Sequence, residues 1–152
     1  MSSAYVRTQI ATFIGTNLAT ENVIDLTNQY DEIQDILASH APPLTYTDSW
    51  LGIQYIGSSE VAINVGADNT QGCYRELGAV FLHVVAPTTP TNAADVLART
   101  EVIRNAFRGQ RINDIIIESV TPPNFEAGAT LQFDAGFSSA SIVINFYRDL
   151  NI

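Results

Sequence analysis

The sequence predicts an α+β fold: a small mixed or mainly antiparallel β-sheet flanked by two or three α-helices, with a long β-hairpin near the C-terminus. Three observations lead there. Two segments carry apolar residues at spacings of three and four, the mark of an amphipathic helix. Several others are short apolar runs rich in Ile, Val, Phe and Tyr, bounded by Gly, Pro and Asn turns. Their order (helix, a second short helix, three strands, helix, two strands) makes an α+β layer. At 152 residues and 46% hydrophobic, the chain has the size of a single domain over 1–152, with enough apolar surface for a core.

Residues 4–19 form the first predicted helix, with Val6, Ile10, Phe13, Ile14 and Leu18 on one face and Ser3 as N-cap. A shorter helix is expected over 28–39, capped by Thr27 or Asn28. Asp31, Glu32 and Asp35 load its early turns, where acids suit the helix dipole. The "HAPP" run then stops it. From Trp50 the period changes: "SWLGIQYIG" and "EVAINVG" read as two strands around a Gly57-Ser58-Ser59 turn. Residues 75–86 are a strand apolar on both faces, expected in the centre of the sheet.

After the turn "PTTPT", residues 92–108 carry the strongest helical pattern. Thr91 or Asn92 caps it, Asp95 lies in the first turn, Arg104 and Arg108 lie near the end, and Gly109 follows as C′. "NDIIIESVTPP" is a strand ended by prolines. A long loop, "NFEAGATLQFDAGF", holds a short strand at 130–133, and "SSASIVINFYRDL" closes the chain as an alternating strand. The helical connection from 86 to 114 can be a crossover, which would make its two strands parallel. The last two strands can pair as an antiparallel hairpin around 122–137.

Composition excludes several functions. No apolar run approaches the ~20 residues of a membrane-spanning helix. The first residues are interrupted by polar Thr8, Gln9, Thr12 and Thr16 and do not read as a secretory signal, so synthesis is expected in the cytoplasm. Cys73 is the sole cysteine, which excludes an internal disulfide and a multi-cysteine zinc site. Net charge is −9, from sixteen acids and seven bases, and every base is arginine. Such a chain cannot readily build the basic face a general nucleic-acid binder needs.

The search for chemistry finds little. No Gly-rich phosphate loop with a lysine is present. His83 lies mid-strand between apolar residues and reads as a core histidine; the competing reading is a catalytic or metal-binding site shared with Cys73. Asp31, Glu32 and Asp35 read as a solvated helix face, and "DNTQG" lacks the alternating acids of a calcium loop. Neither a cofactor nor a metal is expected. Arg75 and Glu76, adjacent on a strand, point to opposite faces and cannot pair with each other. They are either solvent-facing charges at a strand end or contacts to a neighbouring subunit, where arginine can grip a carboxylate with two hydrogen bonds. Arg104, Arg108 and Arg111 form a second basic patch. It either neutralises the helix C-terminus or bridges to an acidic neighbour.

Taken in order, these features resemble the tail terminator proteins of long-tailed bacteriophages. The likeness runs through the N-terminal amphipathic helix, the aromatic-led strand "DSWLGIQYIG", and "YRELG" before a long apolar strand. It continues through a Pro/Thr turn into "ADVLARTEVIRNAFRGQR" and ends on "SASIVINFYRDL". It covers roughly residues 4–20 and 48–150; order and spacing carry it rather than any single motif. The resemblance implies structural work and no catalysis. Such proteins form a ring, usually hexameric, that caps the tail tube at the head-proximal end of the virion. The ring stops tube growth and presents a surface to the head's connector. The implied partners are other copies of this chain, the tail-tube protein and the connector, with DNA only passing through the lumen. The long loop, with Phe125 and Glu126, joins Arg75, Glu76, Arg104, Arg108 and Arg111 as a candidate subunit or tube contact. Two competing readings are another head–tail joining or tail-tube protein, and a small enzyme or ligand-binding domain.

Overall fold

The computed structural model describes residues 4–27, 33–45, 48–57, 59–63, 72–87, 92–123 and 137–151. In chain order the elements are α1 (Ala4–Asn17), β1 (Val23–Asp25), α2 (Ile33–Ser39), β2 (Trp50–Tyr55), β3 (Ser59–Ala62), β4 (Cys73–Pro87), α3 (Asn92–Phe107), β5 (Arg111–Ile112), β6 (Ile115–Val120) and β7 (Phe137–Asn151). The fold is of the mixed α+β class, with seven strands in one open sheet and three helices among the described residues. The strand order is β1-β2-β4-β7-β6-β5, and β3 pairs with β4 beside β2. Every pairing is antiparallel except β1 with β2.

The spine of the sheet is the antiparallel pair of β4 and β7, in register over their whole length from Cys73↔Asn151 to Pro87↔Phe137. The expected C-terminal hairpin is present, because β6 pairs antiparallel with β7 along the latter's second half. β4 and β6 are therefore parallel, joined by α3, but β7 lies between them, so the crossover spans an inserted strand. The expected Gly57-Ser58-Ser59 turn does not fold β3 back onto β2. Both strands run along the same edge of β4, with Tyr55 opposite Val80 and Ser59 opposite Leu77. That register leaves one residue too many on the β2–β3 side, a bulge in an otherwise continuous edge. A second bulge lies in β6, where Ile117 faces Phe146 and Ser119 faces Asn145, leaving Glu118 as the extra residue.

Two short strands escape the sequence patterns. β1 and β5 have three and two residues, too few to show a period. β1 is held to β2 by Leu51 N–H donating to Asn22 O (2.8 Å) and Leu26 N–H donating to Ile53 O (2.7 Å). β5 turns tightly into β6 through Asn113, whose φ of 55° suits asparagine. The described part of the predicted second helix is α2, Ile33–Ser39; residues 28–32 and the strand expected at 130–133 lie outside the described residues.

The two sheet faces differ. On the first, Val6, Ile10 and Ile14 of α1, Leu18 just after it, and Val96, Ile103 and Phe107 of α3 pack on alternate residues of β2, β4, β6 and β7. Phe13 meets the Phe107 ring at 4.9 Å between centroids, locking the two helices together. α3 ends where expected, with Gly109 at φ 69° following its last turn. On the second face, α2 covers one corner: Ile36 and Leu37 pack with Ile24, Leu26, Leu44, Trp50 and Val85. Gly52 permits that close cover, since a Cβ there would lie 2.6 Å from Leu26 Cδ1 and 2.9 Å from Trp50 Cζ3.

Gly52→Ala is expected to destabilise the fold by about 1–2 kcal/mol, because Leu26 and Trp50 must move in a packed corner. Gly15→Ala, where the added Cβ meets nothing in α1, is expected to stabilise by about 0.5–1 kcal/mol. Urea unfolding of the two variants against the parent checks both signs.

Candidate functional site

The charged residues singled out from the sequence converge at the end of the sheet where β4 begins and β7 ends. Arg75 and Asp149 stand directly opposite in the β4–β7 ladder, and so do Glu76 and Arg148. "YRELG" and "FYRDL" both read base then acid. Antiparallel pairing therefore sets base against acid at both positions, one pair on each face.

The second-face pair is exposed. Arg75 grips Asp149 through Nε–Oδ1 at 2.7 Å and Nη2–Oδ2 at 3.0 Å. Its guanidinium lies 4.3 Å from the centre of the Tyr147 ring. The hydrogen bond from Arg75 holds the Asp149 carboxyl below its usual range. The first-face pair is shielded: Arg148 Nε donates to Glu76 Oε2 at 2.7 Å, and Glu76 is 5% exposed. Arg148 also lies 4.4 Å from the centre of the Tyr5 ring of α1 and 3.9 Å from Asp114. Tyr5 closes the circuit by donating its hydroxyl to Asp114 Oδ1 at 2.6 Å, a bond that raises the phenol's pKa. Above this row the Phe146 ring lies over Gly78, 2.5 Å from where a Cβ would stand. The apolar core thus ends at Phe146 and the ion network begins one row below.

Arg75 and Glu76 are therefore each paired within the chain. The sequence carried the signal for their partners in the repeated base–acid order, which becomes legible once β4 and β7 are known to pair. Two further clamps were not singled out. Arg99 of α3 binds Glu21 through Nη2–Oε2 at 2.5 Å and donates Nη1 to Val85 O at 3.2 Å, tying α3 to the turn after α1 and to β4. Arg7 binds Asp25 at 2.8 Å, and its backbone oxygen accepts from the Tyr55 hydroxyl, whose pKa burial pushes up to about 12.

The second basic patch does not act as one unit. Arg104 turns inward, its Nε donating to Val120 O at 3.3 Å, with Glu101 at 3.9 Å. Arg111 caps its own turn by donating to Asn113 O at 2.9 Å, and its side chain stays exposed, as does that of Arg108. Phe125 and Glu126 lie outside the described residues.

His83 sits in the sheet between Gly52 of β2 and Ser141 of β7. Its Nδ1 is 2.6 Å from Ser141 Oγ, and both residues are buried. A hydroxyl beside an imidazole is the start of a nucleophilic site, but the sheet closes both from solvent. Cys73 is half-buried and ten residues away on the same strand. No group of three His, Cys, Asp or Glu that could hold a metal occurs among the described residues. A shallow cavity of about 230 Å³ between β1 and α2 is lined by Ile24, Asp25, Ile36 and His40. Asp25 is already engaged there by Arg7 and by Thr27 N–H. Among the described residues no helix is long and apolar enough to cross a membrane.

No protein-family model matches the chain, and no curated protein matches it. A solved structure aligns over 96% of each chain at 12% identity with a TM-score of 0.46, a likeness too slight to carry an argument.

Glu76→Ala leaves the shielded Arg148 without its closest partner and is expected to cost about 3 kcal/mol, whereas Asp149→Ala, in the exposed pair, should barely move the unfolding midpoint. Denaturant titration distinguishes the two. Burial lowers the His83 pKa to about 4 from an ordinary 6.5. The unfolded chain then binds the extra proton first, so stability is complete above pH 6.5 and falls as pH drops towards 4. The loss is on the order of 3 kcal/mol. His83→Gln should flatten that part of the pH–stability curve, measured by thermal melts from pH 4 to 7.

Proposed function

We propose that this protein is a tail terminator subunit of a tailed bacteriophage, one sector of a ring, hexameric by analogy with the family, that caps the tail tube. The ring would stop tube polymerisation and present a surface to the head's connector. The observation that carries the reading is the ordered set of segments that resembles this family. Those segments correspond to α1, β2, the charged entrance and apolar length of β4, α3 with its arginine-bearing end, and β7. The charge balance supports it: a chain of net charge −9 without lysine offers phosphate few counter-charges, so DNA can slide past without binding. The function asks for shape and rigid edges, and the ion pairs at the foot of β4 and β7 supply rigidity there.

Deleting the reading frame from the phage genome that carries it should give tails of uncontrolled length or heads without tails, seen by negative-stain microscopy. Supplying the protein in trans should restore one tail length. Tails of uniform length in its absence would overturn the reading. Long tubes assembled by the purified protein alone would instead make it a tube subunit.

A further inference from the structure

We draw no further inference here: the strongest candidate, the second face of the sheet away from the corner that α2 covers, where Leu77, Phe81, Val143 and Tyr147 are half-buried beside the exposed Val61 and Ile63, carries nothing because nothing in the structure shows what covers it.

Discussion

The structure depends on the register between β4 and β7. Arg75 faces Asp149 and Glu76 faces Arg148, so the ladder is pinned at its open end by two ion pairs, one per face. A slip of one residue in one direction would set Arg75 against Arg148; a slip the other way would set Glu76 against Asp149. Either slip would also turn Ile142, Ile144 and Phe146 away from the helices, because side chains alternate with a period of two. Charge and hydrophobic pattern therefore select the same register. That agreement matters because β6 and β5 are built outward from β7, and β2, β3 and β1 outward from β4.

The two pairs differ in energetic character despite similar distances. Arg75 and Asp149 stay in solvent, where water screens their attraction and the net gain is small. Glu76 and Arg148 are shielded by Tyr5 and the end of the core, so removing one strands the other in a poor solvent for charge. The pairs set geometry more than they set total stability. The bulk of the favourable energy comes from the apolar rows of β2, β4, β6 and β7 beneath α1 and α3. His83 and Ser141 follow the same logic of burial: their hydrogen bond gives each polar side chain a partner inside the sheet.

Rigidity at the foot of the sheet bears on the proposed assembly. The five-stranded foot is cross-tied by Arg148, Tyr5 and Asp114, which fixes α1 and the β5–β6 turn against β7. α1 is tied into that foot through Tyr5, and α3 is tied to β4 and the α1 turn through Arg99. The arginines thus fall into two groups. Five hold a carboxylate of the chain, whereas Arg108 and Arg111 are exposed and hold none among the described residues.

Much of the fold was legible in the sequence. α1, α3 and the strands β2, β4, β6 and β7 follow from apolar periods long enough to count, and Gly109 marked the end of α3. β1 and β5 were not legible, because three and two residues carry no period and exist only where a neighbour supplies hydrogen bonds. Only the tertiary structure decided that β3 continues β2 along β4 instead of folding back on it, since turn residues alone do not distinguish a hairpin from a bulged edge. It alone decided that Arg75 and Glu76 have partners within the chain. Those partners lie more than seventy residues away, and nothing local states which strand will stand beside which. The sequence determined which residues are charged and in what order; the pairing of distant strands determined which opposite charge each one meets.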